Sequence, residues 1–237
     1  MRAVIIKMVA GCCLLLSTGL AAVAASAAPS LLPSNVVFNV PADVPLRLVN
    51  FKFDTSRPDM VAFHYDVQNV SGQGLLAVEL GWRAEFGDKG AVSISNRDDR
   101  WLTGQLATGR LEHFQVTNVP NLGAEPLTRL VATVRYAEFE DGSALGVDAA
   151  AIAKDIDSGR RATLASYARL LDSFNKAGSE ALIQGLKVGS ATSIPRELPA
   201  VQEANARLLG MLHDQGVDAV VLELQRVSTL RLPEPPA

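Results

Sequence analysis

Residues 61–86, VAFHYDVQNVSGQGLLAVELGWRAEF, alternate apolar and polar side chains on both sides of a short Ser/Gly break. One face carries Val61, Phe63, Tyr65 and Val67, then Leu76, Val78, Leu80, Trp82, Ala84 and Phe86. The other carries His64, Asp66 and Gln68, then Glu79, Arg83 and Glu85. Successive side chains of an extended chain point to opposite faces, so a period of two on both sides of the break predicts two half-buried strands. With Asn69–Gly74 as a turn-tolerant connection, the stretch reads as a β-hairpin whose apolar face needs a second sheet or a helix to cover it.

Further alternating segments lie on either side. Val49, Phe51 and Phe53 give a strand ahead of the hairpin; Val92 and Ile94 give one after Gly87–Gly90. Leu111, Phe114 and Val116 mark another, and Leu130, Ala132, Val134 and Tyr136 one more before Glu140–Ser143. Six or seven short strands separated by regular turn signals predict an immunoglobulin-like antiparallel β-sandwich over residues 47–146. The charged run Asn96–Arg100 reads as a solvated, ion-paired turn, since it lacks the alternating oxygen ligands of a calcium loop.

Residues 47–146 resemble the Ig-like sandwich domains of bacterial envelope proteins, FxLYD-type domains among them. The resemblance is carried by the bend Asn69-Val70-Ser71, the apolar strand with Trp82, a Leu-x-x-Gly lead from Leu106 to Gly109, and the Phe-x-Asp-Gly close from Phe139 to Gly142. Thr108 stands where such domains place Pro, and His64-Tyr65-Asp66 is the nearest match to the Leu-Tyr-Asp signature. The resemblance implies a fold and an extracytoplasmic setting; it brings no catalytic residue and no ligand.

After Gly146 the period changes to that of helices. Asp148 is a plausible N-cap for a helix to about Ala177, with Ile152, Ile156, Leu164, Tyr167, Leu171 and Phe174 near one stripe and Gly178 as the stop. A second helical region starts near Pro199 and stops at Gly216. Leu170-Leu171, Phe174, Gly178, Leu182 and Leu186 recur as Leu208-Leu209, Leu212, Gly216, Val220 and Leu224 at a constant offset of 38. An offset of that size is one helical hairpin, so residues 147–228 are expected to form two repeated hairpins packed on each other, joined through Ile194-Pro195-Arg196. The fold class expected is therefore α+β in two segregated parts, with a disordered tail over 229–237.

At the other end, Arg2 and Lys7 precede the apolar run Met8–Ala28, which decays into alanines and a serine. Residues 1–28 read as a cleaved signal peptide, with an uncleaved anchor or a lipid-modified Cys12 as alternatives. Cleavage removes Cys12 and Cys13, the two cysteines of the chain, and with them any disulfide, thiol nucleophile or cysteine metal site. Residues 29–46, with Pro29, Pro33, Pro41 and Pro45, read as an extended leader or an edge strand. A net charge of −3 without clustered Lys and Arg argues against nucleic acid, and no basic amphipathic run suggests a membrane surface.

Each candidate for chemistry has a plainer reading. His64, His113 and His213 fall in two strands and a helix end without ligand-like spacing, so surface histidines are expected and no metal or cofactor. Gly72 and Gly74, or Gly185 and Gly189, make no phosphate loop. Ser71, Ser93 and Ser95 sit in no nucleophile elbow, and Trp82 is expected in the core. Asn69-Val70-Ser71 matches a glycosylation sequon. No catalytic, cofactor-binding or metal residue is assigned. The reading favoured is a non-enzymatic module, secreted or periplasmic, that binds a protein or glycan of the cell envelope. The alternatives are a hydrolase whose site is assembled from scattered loops, and a membrane-anchored assembly or secretion accessory.

Overall fold

The computed structural model describes residues 34–54, 60–120, 127–191 and 199–232. The signal segment, the Ile194-Pro195-Arg196 joint and the last five residues lie outside them. Among the described residues the strands are β1 (Val36–Asn39), β2 (Leu46–Asp54), β3 (Met60–Asn69), β4 (Leu75–Glu85), β5 (Ala91–Asp99), β6 (Leu111–Pro120), β7 (Arg129–Phe139) and β8 (Ala144–Leu145). The helices are α1 (Ala149–Ala191), α2 (Pro199–Gln215) and α3 (Val217–Ser228). Strands and helices are thus segregated along the chain, an α+β arrangement.

The 61–86 stretch forms two strands, but they do not pair with each other. β3 lies in a three-stranded sheet of order β2-β3-β6, and β4 in a second sheet of order β1-β7-β4-β5, with β8 beside β7. The hairpin expectation is corrected here: alternation fixes one apolar face per strand and leaves open whether two such faces lie side by side or meet. They meet. Phe63 and Tyr65 of β3 lie 4.7 and 4.8 Å from the Trp82 ring of β4, and Tyr65 stacks on Phe114 of β6 at 5.2 Å.

The connection is an arch closed by the buried Asn69. Its amide nitrogen donates to the carbonyls of Gln73 (2.7 Å) and Leu106 (2.8 Å), and its Oδ1 accepts from the Ser71 backbone N–H and hydroxyl. The sequon asparagine is therefore enclosed, with its nitrogen committed to two carbonyls.

The shared core takes Leu48, Phe51, Phe63, Tyr65 and Val67 from one sheet and Val78, Leu80, Trp82, Leu130 and Val134 from the other. Leu75, not Leu76, is the inward residue at the start of β4, because the register with β7 shifts between Leu75 and Ala77. The 29–46 segment contributes β1, a four-residue edge strand running parallel to β7. The edge strand β2 is interrupted by a bulge between Val49 and Lys52, where Asn50 takes φ 55°. Such a break hinders pairing with another chain at an exposed edge.

The charged run 96–99 is a further correction: Asn96, Arg97, Asp98 and Asp99 continue β5 in register with Leu80–Ala77 of β4, and the turn follows only at Arg100.

The helices carry their own core, centred on Tyr167, Leu182, Leu186, Leu208, Val220 and Leu224. Leu170 and Leu208 are buried, whereas Leu171 and Leu209 are partly buried beside them. Gly178 (φ 75°, ψ −165°) and Gly216 (φ 84°, ψ −178°) join helix to helix. Both occupy a region essentially restricted to glycine. In the tail, Thr229 caps α3 and Leu230 packs on the helical core, so the ordered chain runs beyond residue 228.

Candidate functional site

The outer face of the β1-β7-β4-β5 sheet receives α1. Ile152, Ala153 and Ile156 pack on Ala77 of β4 and Tyr136 of β7. Trp101 and Leu102, in the turn after β5, pack on the helical core, and Arg226 of α3 donates to the Leu102 carbonyl at 2.7 Å.

Between these contacts lies a network of charges. The Arg160 side chain of α1 is 4% exposed and donates to Asp99 of β5 (2.7 and 3.1 Å) and to Glu138 of β7 (2.8 and 2.9 Å). Tyr136 donates its hydroxyl to the same Glu138 at 3.1 Å. Next to it, Glu79 of β4, 2% exposed, accepts from Arg97 and Arg135, both at 2.6 Å. Those two arginines reach on to Asp155 of α1 (2.6 Å) and to Asp148 just before it (2.8 Å). A carboxylate is an acceptor only, and an arginine fork meets it with two parallel donors, which suits burial of both.

Burial raises the Asp99 carboxyl above the ordinary aspartate range, with Arg160 pulling the other way. Burial alone would lower the Arg160 guanidinium, yet hydrogen bonds to Asp99 and Glu138 more than offset it and its pKa rises. Arg160 is charged at any pH the fold experiences.

Two clefts open beside this network and share Ser95. One, of about 410 Å³, is floored by Gly81, Ser93, Ser95 and Thr133 and flanked by Arg83, Arg135 and Asp148. The other, of about 560 Å³, lies between β5 and the helices, lined by Ser95, Arg97, Asp99, Asp155, Gly159 and Glu203. Gly159 lets α2 approach closely, since a Cβ there would stand 3.0 Å from that of Ala200. The combined groove offers hydroxyls and backbone, with Asp99, Asp148 and Asp155 held by arginines and Glu203 on its rim.

Ser93 and Ser95 are exposed on this groove, while Ser71 and the glycines at 72 and 74 belong to the Asn69 arch. Gly185 and Gly189 lie inside α1. Trp82 is buried in the core, as its pattern implies. His213, exposed at the end of α2, contacts Asp214. His64 and His113 are brought together on the outer face of the other sheet, which their sequence spacing does not reveal. Among the described residues no group of three or more His, Cys, Asp or Glu side chains is gathered as a metal site, and no helix is long and apolar enough to cross a membrane.

The 79–97–99–138–160 network is not legible in the sequence because its directly bonded pairs lie up to 61 positions apart. One signal was available: Arg160 stands on the helical stripe of Ile152, Ile156 and Tyr167, where a lone charge requires a buried partner.

No family model and no curated protein matches the chain. Among solved structures, a Bordetella pertussis protein provisionally named ApaA is 16% identical, covering 43% of this chain and 85% of its own, with a TM-score of 0.32. A hypothetical protein of Peptoclostridium difficile 630 is 11% identical, covering 46% and 89%, also at 0.32. Likenesses this slight carry no argument about fold or function.

Proposed function

We propose that this chain is a non-enzymatic interaction module of the cell envelope, an Ig-like β-sandwich joined to two repeated helix hairpins, that binds a protein or glycan partner along the groove centred on Ser95. The observation that carries the reading is the state of the buried acids. Glu79, Asp99 and Glu138 are each engaged by Arg97, Arg135 or Arg160. A general acid or base needs a carboxyl that can exchange its proton with a substrate, and a carboxylate held by a permanently charged guanidinium is poorly suited to that task. These charges instead seat the helices on the sheet. What the groove offers a visitor is Ser93, Ser95, Thr133 and the rims of Arg83 and Glu203, which are groups for recognition. The layout of Arg2, Lys7 and the apolar run to Ala28 supports export. The closely similar conformation of Gly178 and Gly216, 38 residues apart, supports the repeat.

The test is a pull-down from envelope extract with the parent protein and with Ser95→Trp, whose bulk fills the exposed groove. The eluates are compared for proteins and glycans, and the protein is assayed for hydrolysis of peptide, ester and glycoside substrates. A ligand retained by the parent and lost by Ser95→Trp supports the reading. Turnover of a substrate that is abolished by Asp99→Asn or Glu203→Gln sinks it.

A further inference from the structure

We propose that His64 and His113 chelate a divalent transition metal ion, of the Zn²⁺ or Cu²⁺ kind, on the outer face of the β2-β3-β6 sheet. In the antiparallel register of β3 and β6, His64 stands opposite Gln115 and Asp66 opposite His113, which makes the two imidazoles diagonal neighbours on one face. Their ring centres are 5.6 Å apart and their planes differ by 14°. Two imidazoles that share an ion at about 2.0–2.1 Å from each nitrogen have ring centres roughly 4.5–6.3 Å apart. The observed separation lies inside that range.

Asp66 prepares one ligand. Its Oδ1 lies 2.8 Å from His113 Nδ1, and its Oδ2 accepts from the Asn50 amide at 2.6 Å. A carboxylate only accepts, so Nδ1 of His113 is the protonated nitrogen and the lone pair of the neutral ring sits on Nε2. A carboxylate behind the ligating histidine is the arrangement that fixes tautomer and orientation at metal sites. Asn50, which supports Asp66, is the non-glycine residue of positive φ in the β2 bulge, so backbone strain is maintained at the point that holds this carboxylate.

The His113 side chain is 66% exposed, which leaves an ion open positions for water or another ligand. With two imidazoles as protein ligands the affinity is modest, and it follows the order of imidazole preference, Cu²⁺ above Zn²⁺, while Mg²⁺ and Ca²⁺ prefer oxygen ligands. Lys52, exposed and in register with His64 on β2, adds a positive charge nearby but on a flexible stem that can turn to solvent.

The test titrates metal-stripped protein with Zn²⁺ and follows the imidazole signals by NMR, with calorimetry for Zn²⁺, Cu²⁺ and Mg²⁺. The signals of His64 and His113 are expected to move together at one equivalent, those of His213 to stay, and Mg²⁺ to give no heat. His64→Ala and His113→Ala should each weaken Zn²⁺ tenfold or more. Asp66→Asn should weaken it about ten- to a hundredfold, the range seen when a carboxylate behind a ligand is removed. His213→Ala should change nothing. Unmoved His64 and His113 signals in the parent overturn the proposal without any variant, as does full Zn²⁺ affinity in His64→Ala or His113→Ala.

Discussion

The indole N–H of Trp82, on β4, donates to the phenol oxygen of Tyr65, on β3, across the two sheets at 3.2 Å. Both side chains are fully enclosed, at 1% and 0% exposure. The bond joins the two strands of the stretch whose alternation first indicates the fold, and it can form only because those strands face each other.

Truncation of Trp82 to Ala should therefore destabilise the protein by about 3–5 kcal/mol, the range for a buried aromatic residue. Tyr65→Phe removes one oxygen and leaves the indole donor enclosed without its partner, an effect of about 1–3 kcal/mol. Urea denaturation followed by tryptophan fluorescence and by circular dichroism measures both. A Tyr65→Phe variant as stable as the parent would show that the bond contributes nothing.

Tyr65, Tyr136 and Tyr167, the three tyrosines of the chain, are all raised in pKa by burial; the Glu138 charge adds to the effect at Tyr136, and Arg207 opposes it at Tyr167. Each folded phenol holds its proton more tightly than the unfolded one. The associated stability is in full force below the unfolded value, about pH 10, and is lost as pH rises past it toward the folded values. Phenolate absorbance should accordingly be absent near pH 10 and appear together with loss of ellipticity at higher pH. Smooth ionisation near pH 10 with the far-ultraviolet spectrum intact would place a tyrosine in solvent.

Gly178 and Gly216 tolerate no side chain in the backbone conformation they share, although the space around each is open. Changing either to Val should destabilise by about 1–3 kcal/mol through strain alone. Gln184→Ala and Gln225→Ala, on exposed positions, should remain within about 0.5 kcal/mol of the parent. Thermal melting at 222 nm distinguishes the two groups.

Much of the inward-facing set was legible because alternation needs only local information: Phe63, Tyr65, Val67, Val78, Leu80 and Trp82 are all in the core. Strand partners were not legible, since β4 pairs with β5 and with β7, and the choice between pairing and facing rests on contacts from distant parts of the chain. The bulge that turns Leu75 inward in place of Leu76 left no trace in the pattern. Helix breaks were readable at Gly178 and Gly216, because glycine there answers a backbone requirement. Asp98 and Asp99 looked like a turn because charges seldom end a strand in isolation; the residue that accounts for Asp99, Arg160, is 61 positions away.

The central claim is that the buried charges between sheet and helices hold the two parts together as one unit. A double-mutant cycle on Arg160 and Glu138, measured by denaturation, tests it most directly. Arg160→Met leaves both Glu138 and Asp99 without their arginine and should destabilise by about 3–5 kcal/mol. Arg160→Met with Glu138→Leu replaces the more buried carboxylate by an apolar side chain and should recover part of that loss, with Asp99, 21% exposed, still lacking its arginine. Strand and helix signals should shift together in every variant. An Arg160→Met protein that unfolds at the parent's denaturant concentration, or a double variant no more stable than the single one, would contradict the account.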